Sequence, residues 1–341
     1  MLPAVPRRLR KCHDRQTDLL GAGDSAINTA AYRWIATAGA TTRIEPGKRL
    51  AIGADDFESP TLGTLLIRGG RLTVDTPVAW RLKGRLDFVV IMAATPTLDG
   101  SADLVVDNSG VISGDGRILV DVDNFGTISP GASAGLIEID GEYRQEGTGR
   151  LVVELGGAAE DEYDRITING EAILDGILDI NRIDGFVPEL GTSFRVIDSD
   201  GRRGAFATVI GGGFGQGRIL FPHYSNSGVV LVATCAGDTD GDGDVDLEDL
   251  NNVRNNFGEQ GSPILGDTNG DHLVNLEDLN AVRNNFGETA PQSPWIVPEP
   301  AAMALFVEAF LLVLALRGLA RTPLSAAIRT QLQLGAYCKK P

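Results

Sequence analysis

Cysteine, histidine and aromatic residues are scarce in this chain. Three cysteines (Cys12, Cys235, Cys338) are spread over 341 residues. They are too few and too far apart for a disulfide-stapled scaffold or a cysteine-rich zinc module. His13, His223 and His272 are the only histidines, which leaves little material for a histidine-based metalloenzyme or triad. Cations are outnumbered, with 30 Lys+Arg against 46 Asp+Glu and a net charge of −16. Nucleic acid is therefore excluded as the expected partner, because phosphate contacts need clustered Lys and Arg. An N-terminal apolar run is missing too. Arg7, Arg8, Arg10 and Lys11 make a basic start, but Asp14, Arg15, Asp18, Asp24 and Asn28 break up the next stretch, so no ordinary secretory signal is legible.

Glycine is what the chain has in excess, 43 residues or close to twice the usual share of about 7%. A hydrophobic content of 43% argues against a disordered chain, and the length leaves room for two or three domains. Charge is segregated into blocks, as expected when segments do different jobs. Residues 237–288 carry nine Asp and four Glu against two Arg, whereas residues 317–341 carry five cations and no acid. Residues 1–40 read as a basic, poorly ordered segment.

Residues 41–235 read as short strands punctuated by glycine. Alternation is clear in Leu136-Ile137-Glu138-Ile139-Asp140, in Leu151–Leu155 and in Arg165–Asn169, with Asp-Gly and Asn-Gly turn signals every eight to fifteen residues. The domain is predicted to be mainly β. Two architectures fit: a sandwich joined by tight hairpins, or a parallel β-solenoid with stacked inward aliphatics. The segments 110–116 (GVISGDG) and 126–131 (GTISPG) look like successive rungs sixteen residues apart. They favour the solenoid, with a sandwich-like closing region after Ala172. The run from Gly126 to Leu136, with Ile139–Gln145 and Glu162–Ile168, resembles autotransporter-type passenger repeats of bacterial surface proteins. That resemblance implies a right-handed β-helix facing the cell exterior and is silent on activity.

The strongest chemistry lies in two twelve-residue loops. Residues 238–249 read DTDGDGDVDLED and residues 267–278 read DTNGDHLVNLED, related by a shift of 29 that also matches Arg254 to Arg283 and Phe257 to Phe286. Calcium takes six to eight hard oxygens, which an EF-hand-type loop supplies from positions 1, 3, 5, 9 and 12 and a carbonyl at position 7. Loop one offers Asp238, Asp240, Asp242, Asp246 and Asp249 with the Asp244 carbonyl. Loop two offers Asp267, Asn269, Asp271, Asn275 and Asp278 with the Leu273 carbonyl. Two Ca²⁺ ions are therefore expected, the second held more weakly because loop two has three carboxylates to loop one's five. His272, at position 6 where glycine is usual, reads as a solvent-facing turn residue. Val245 and Val274, at position 8, point inward. Leu247, Leu250 and Val253, with their counterparts Leu276, Leu279 and Val282, are spaced as apolar helical stripes. Crowded carboxylates repel one another without a cation, so folding of this module should depend on metal.

A position-12 aspartate, the 29-residue shift and one helix after each loop make residues 236–289 resemble a type I dockerin. The resemblance implies docking to a cohesin-like domain, with contacts at loop positions 10–11 (Leu247-Glu248, Leu276-Glu277) and along the helices toward Arg254 and Arg283. The hydroxyl pair usual at positions 10–11 is absent. Residues 290–300 form a proline-rich linker containing Val297-Pro-Glu-Pro300, and residues 301–317 are apolar apart from Glu308 and the closing Arg317. The sixteen residues 301–316 would span about 24 Å as a helix, short of the ~30 Å hydrocarbon core. The flanks resemble a PEP-CTERM sorting signal, which implies a transmembrane helix over 301–317, export, inner-membrane anchoring and cutting by an exosortase-type enzyme. The basic tail 318–341 agrees with the positive-inside rule.

No catalytic residue is identified. Asp121, Asp123, Glu138, Glu154, Glu160, Asp161, Glu162 and Asp164 are acids without an acid/base spacing. The leading expectation is a non-catalytic envelope protein with a calcium-binding interaction module. One alternative is a polysaccharide-degrading hydrolase or lyase, or a carbohydrate-binding subunit, that uses the module for assembly. Another is a matrix component in which the loops are a rigid spacer.

Overall fold

The computed structural model describes residues 17–18, 29–31, 41–53, 64–75, 79–90, 93–131, 133–215, 217–260, 266–268 and 273–291. They form a mainly β structure of parallel sheets followed by two helices, an architecture compatible with a β-solenoid. Strands pair in parallel with strands one coil earlier and one coil later. The coil Arg85–Val89, Thr97–Gly100, Leu104–Val106 is followed by Val111–Gly114, Gly116–Ile118, Val122–Asn124 and then by Thr127–Pro130, Leu136–Ile139, Tyr143–Gln145. Val111 stands opposite both Arg85 and Thr127, Arg117 opposite Thr97 and Glu138, and Asp123 opposite Val105 and Arg144. The two rung-like segments of the sequence are thus neighbours in one sheet. Parallel pairing already includes Thr17–Asp18 and Thr29–Ala31, N-terminal to residue 41.

Among the described residues one sheet has nine strands and the other fourteen. The long strand Arg165–Leu174 joins two columns of the larger sheet, pairing first with Leu136–Ile139 and then with Tyr143–Gln145. Inward positions of the nine-stranded sheet stack as Leu65, Leu86, Ile112, Ile128, Leu151, Leu178 and Val209, all buried. Each such side chain contributes about 1.5–3 kcal/mol relative to exposure, and this row is the axis of the core. Inside it sits one polar ladder. Asn124 and Gln145, opposite one another, are fully buried, and Asn124 Nδ2 donates to Gln145 Oε1 at 3.2 Å. Gln145 Nε2 donates onward to the carbonyls of Gly149 and Ile177 at 3.1 and 2.9 Å.

The coils end in an antiparallel layer. Ser193–Gly204 still runs parallel to Arg165–Leu174, but Gly228–Cys235 pairs antiparallel with it and with Arg218–Ser225. A sandwich-like region was expected from Ala172 onward, but parallel pairing continues through Ile177–Arg182 and Thr208–Ile210, and only Arg218–Ser225 and Gly228–Cys235 bring antiparallel pairs. Helices α1 (Leu247–Asn255) and α2 (Leu276–Asn285) come next. Among the described residues no helix is long and apolar enough to cross a membrane, and residues 301–317 lie outside them.

The candidate acids lie apart from one another in role. Asp123 pairs with Arg144 at 3.5 Å, Glu138 with Arg117 at 2.8 Å and Glu160 with Arg165 at 3.1 Å. Asp164 is instead fully buried, accepting N–H bonds from Gly135 at 2.8 Å and Glu154 at 2.9 Å. Burial pushes its pKa up to about 8 against those two bonds. A carboxyl group raised in the folded state keeps a proton that the unfolded chain has released. Its stabilising contribution is therefore complete below about pH 4 and fades as pH climbs toward 8, with a limiting slope of about 1.4 kcal/mol per pH unit. Asp164→Asn should flatten that slope in urea titrations run between about pH 5 and pH 8. It should also cost about 1–3 kcal/mol at every pH, because its amide N–H faces a backbone N–H. An unchanged slope would count against this assignment.

Candidate metal centre

Loop one folds around its own aspartates. Asp238 is completely buried and accepts from the N–H groups of Gly241 at 2.7 Å and Gly243 at 3.1 Å. Asp240 Oδ1 accepts from Asp242 N and Asp242 Oδ1 from Asp244 N, at 3.1 and 3.0 Å. Each short acid thus turns the chain back over the next, as Asp side chains do in Asx turns. Asp246 then caps α1, its side chain accepting from Glu248 N at 2.6 Å, while Asp249 reaches back to Asp246 N at 2.7 Å. This reciprocal box satisfies helix N–H groups that otherwise lack partners.

Loop two repeats the construction. Asp249 Oδ1 accepts from Thr239 N and Oγ1 at 2.6 and 3.0 Å, and Asp278 Oδ1 accepts from Thr268 N and Oγ1 at 2.7 and 3.1 Å. Asn275 caps α2 through Glu277 N at 2.7 Å, and Asp278 Oδ2 takes Asn275 N at 2.8 Å. The loops pair crosswise: Val245 N donates to Glu288 O at 3.1 Å, and Val274 N to Glu259 O at 3.0 Å. Val245, Val253, Val274 and Val282 fill the space between the helices, each fully buried. Position 8 therefore points inward in both repeats, as expected.

The apolar stripe of the helices differs from expectation at its first position. Leu250 and Leu279 are half-buried against the valine core, but Leu247 and Leu276 stand 63% and 64% exposed. They occupy the first helical residue after the cap, where the chain has turned only partly onto the core-facing side. Phe257 and Phe286, just past the helices, are also exposed. The shift of 29 already linked the phenylalanines, but nothing in the sequence told their exposure. An open groove of about 670 Å³ runs along α1, lined by Asp240, Asp246, Leu247, Glu248, Asn251, Asn252 and Asn255.

The donor set suits a hard divalent cation. Carboxylate oxygens of Asp238, Asp240 and Asp242 lie within 4.8 Å of one another, and so do those of Asp244, Asp246 and Asp249. Oxygens sharing one calcium ion at 2.3–2.6 Å are at most about 5 Å apart. Two acidic clusters able to hold a metal ion are thus present in loop one. The sequence assigned Asp244 a carbonyl role, and here its carboxylate joins the second cluster, with Oδ1 buried and lacking a hydrogen-bond partner. In loop two, Asp267 and Asp278 are fully buried, while Leu273 is exposed and Asn275 half-exposed. Asn269, Asp271 and His272 lie outside the described residues.

The electrostatics of loop one point the same way. Burial, reinforced by the carboxylates of Asp249 and Asp240, pushes Asp238 up to about 7 against bonds from Thr234 and Gly241. Burial also lifts Asp240 to about 6, with Asp242, Asp249 and Glu248 adding to it. Asp244 is raised chiefly by the Asp242 carboxylate. Among the described residues neither Asp238 nor Asp249 has an ion-pair partner. Burying charge without a partner is costly, and a bound divalent ion reverses that penalty.

No protein-family model and no curated protein matches this chain.

Proposed function

We propose that this chain is a non-catalytic, exported envelope or surface protein: a right-handed β-solenoid of the autotransporter-passenger kind joined to a type I dockerin-like module. In this reading each loop binds one calcium ion, the module docks a cohesin-like protein domain, and a PEP-CTERM-type segment sorts the chain to the membrane. The carrying observation is the pair of fully buried aspartates at positions 1 and 12 of each loop, Asp238 with Asp249 and Asp267 with Asp278, related by 29 residues. Two buried carboxylates in each of two repeats are a poor arrangement for a chain without cations and a good one for a chain that binds them. The exposed pairs Leu247 with Leu276 and Phe257 with Phe286 support docking, since apolar side chains repeated on an acidic surface offer a partner two like anchors.

The test is a calorimetric calcium titration of the chelator-treated full chain. Two ions per chain are expected, the tighter in loop one. Absence of binding at millimolar calcium would remove the reading. Pull-down against a cohesin-like domain, with and without chelator, tests docking: capture lost on chelation supports it, and capture indifferent to calcium counts against it.

A further inference from the structure

The last strand of the β domain runs almost directly into the first candidate ligand. Along one face, Gly228–Cys235 places Val229, Leu231 and Ala233 in the core of the coils, then Cys235 in the valine core of the helical module. Leu190, which precedes the strand Ser193–Gly204, also packs on that valine core. A third small cluster joins Ile219 and Phe221 of Arg218–Ser225 to Ala236 and to Ala281 of α2. Polar contacts cross the same boundary. Thr234 Oγ1 donates to Asp238 Oδ2, and Asn285 Nδ2 of α2 donates to the Ala236 carbonyl at 2.8 Å. Gly241, inside loop one, lies so close to the coils that a Cβ there would sit 2.5 Å from the Phe221 ring and 2.7 Å from the His223 ring.

We propose that the paired-loop module is the terminal cap of the β domain, and that a divalent cation in loop one holds the closing antiparallel layer shut. This rests on the reading that loop one binds calcium. Asp238 is both a candidate ligand and the acceptor for Thr234, and Gly241 is both a loop residue and the seat of Phe221. Opening Arg218–Ser225 and Gly228–Cys235 pulls on both, so layer and loop open as one unit. A ligand bound only by the closed form reduces the open population by the factor 1 + [Ca²⁺]/Kd. At a hundred times Kd, amides exposed by that opening should exchange up to about 100-fold more slowly.

Hydrogen exchange of the full chain, with calorimetry in the same buffers, decides it. With calcium at a hundred times the measured Kd, the slowing in residues 218–225 and 228–235 should exceed that in 111–114 and 127–130 by at least about tenfold. Thr234→Val, which removes the hydroxyl that donates to Asp238 but no candidate ligand, should keep the ion stoichiometry and lose most of that excess. If ions bind but slowing stays within residues 238–288, or does not differ between the two regions, the cap is overturned and calcium binding stands. Where no ion binds, both fall.

Discussion

Asp249→Ala is expected to cost about 2–5 kcal/mol of stability in the module and to weaken cation binding by loop one. The cost combines the lost capping box, worth about 1–2 kcal/mol, with the stranding of the buried Thr239 N–H and hydroxyl, worth about 1–3 kcal/mol. Both groups depend on Asp249 Oδ1, at 2.6 and 3.0 Å. On the proposed ligand assignment, removal of the Asp249 carboxylate should reduce ion affinity beyond the roughly 10–100-fold that outer-shell partners are worth. Denaturation in chelator isolates the first effect, and calcium titration of the folded variant reads the second. Asp278→Ala should reproduce the stability loss, because Thr268 hangs on Asp278 in the same way. Wild-type calcium affinity in Asp249→Ala would contradict the ligand assignment.

The second large effect lies in the coils. Gly114 has φ +88°, and a Cβ there would stand 1.8 Å from the carbonyl oxygen of Phe88 in the previous coil. That oxygen is part of the parallel stack and cannot retreat without breaking the register of Val111–Gly114 on Arg85–Val89. Gly114→Ala should therefore destabilise the domain by at least about 4 kcal/mol, in the range reserved for backbone strain plus overpacking. Gly47→Ala is the control. Gly47 has φ +71° but open space around it, so only the left-handed conformation is penalised, at about 1–2 kcal/mol. Equal losses at the two sites, measured by urea unfolding, would show that steric contact with Phe88 is not the cause.

The helical module was legible because its chemistry is local. Twelve residues specify a loop, the shift of 29 specifies the second copy, and Val245 and Val274 fall inward once the loops are drawn. The β domain was legible only in part. Its rungs at 110–116 and 126–131 stood out because that coil is short. Registered positions Arg85, Val111, Thr127, Arg150 and Ile177 are 26, 16, 23 and 27 residues apart along the chain. Parallel stacking constrains only the inward row and a few tight corners, so loop insertions erase the repeat from the sequence. The double pairing of Arg165–Leu174 could not be read for the same reason. The burial of Asp164 was not legible among the candidate acids, since it depends on Gly135, a full coil away. Leu247 misled through spacing alone, as helical periodicity does not reveal how far a capped first turn has rotated.

Reversal of strand direction at the end of the coils has a consequence for self-association. Parallel coils that simply stopped would offer a bare rung of N–H and C=O groups, a template onto which another molecule's first rung could grow. Here Gly228–Cys235 lies between two antiparallel partners and is buried along its whole length. The nine-stranded sheet finishes on a strand of three residues, Thr208–Ile210. Growth of head-to-tail fibres through this end therefore cannot use Gly228–Cys235, and among the named strands the footing that remains is the outer edge of Arg218–Ser225, which pairs on one side.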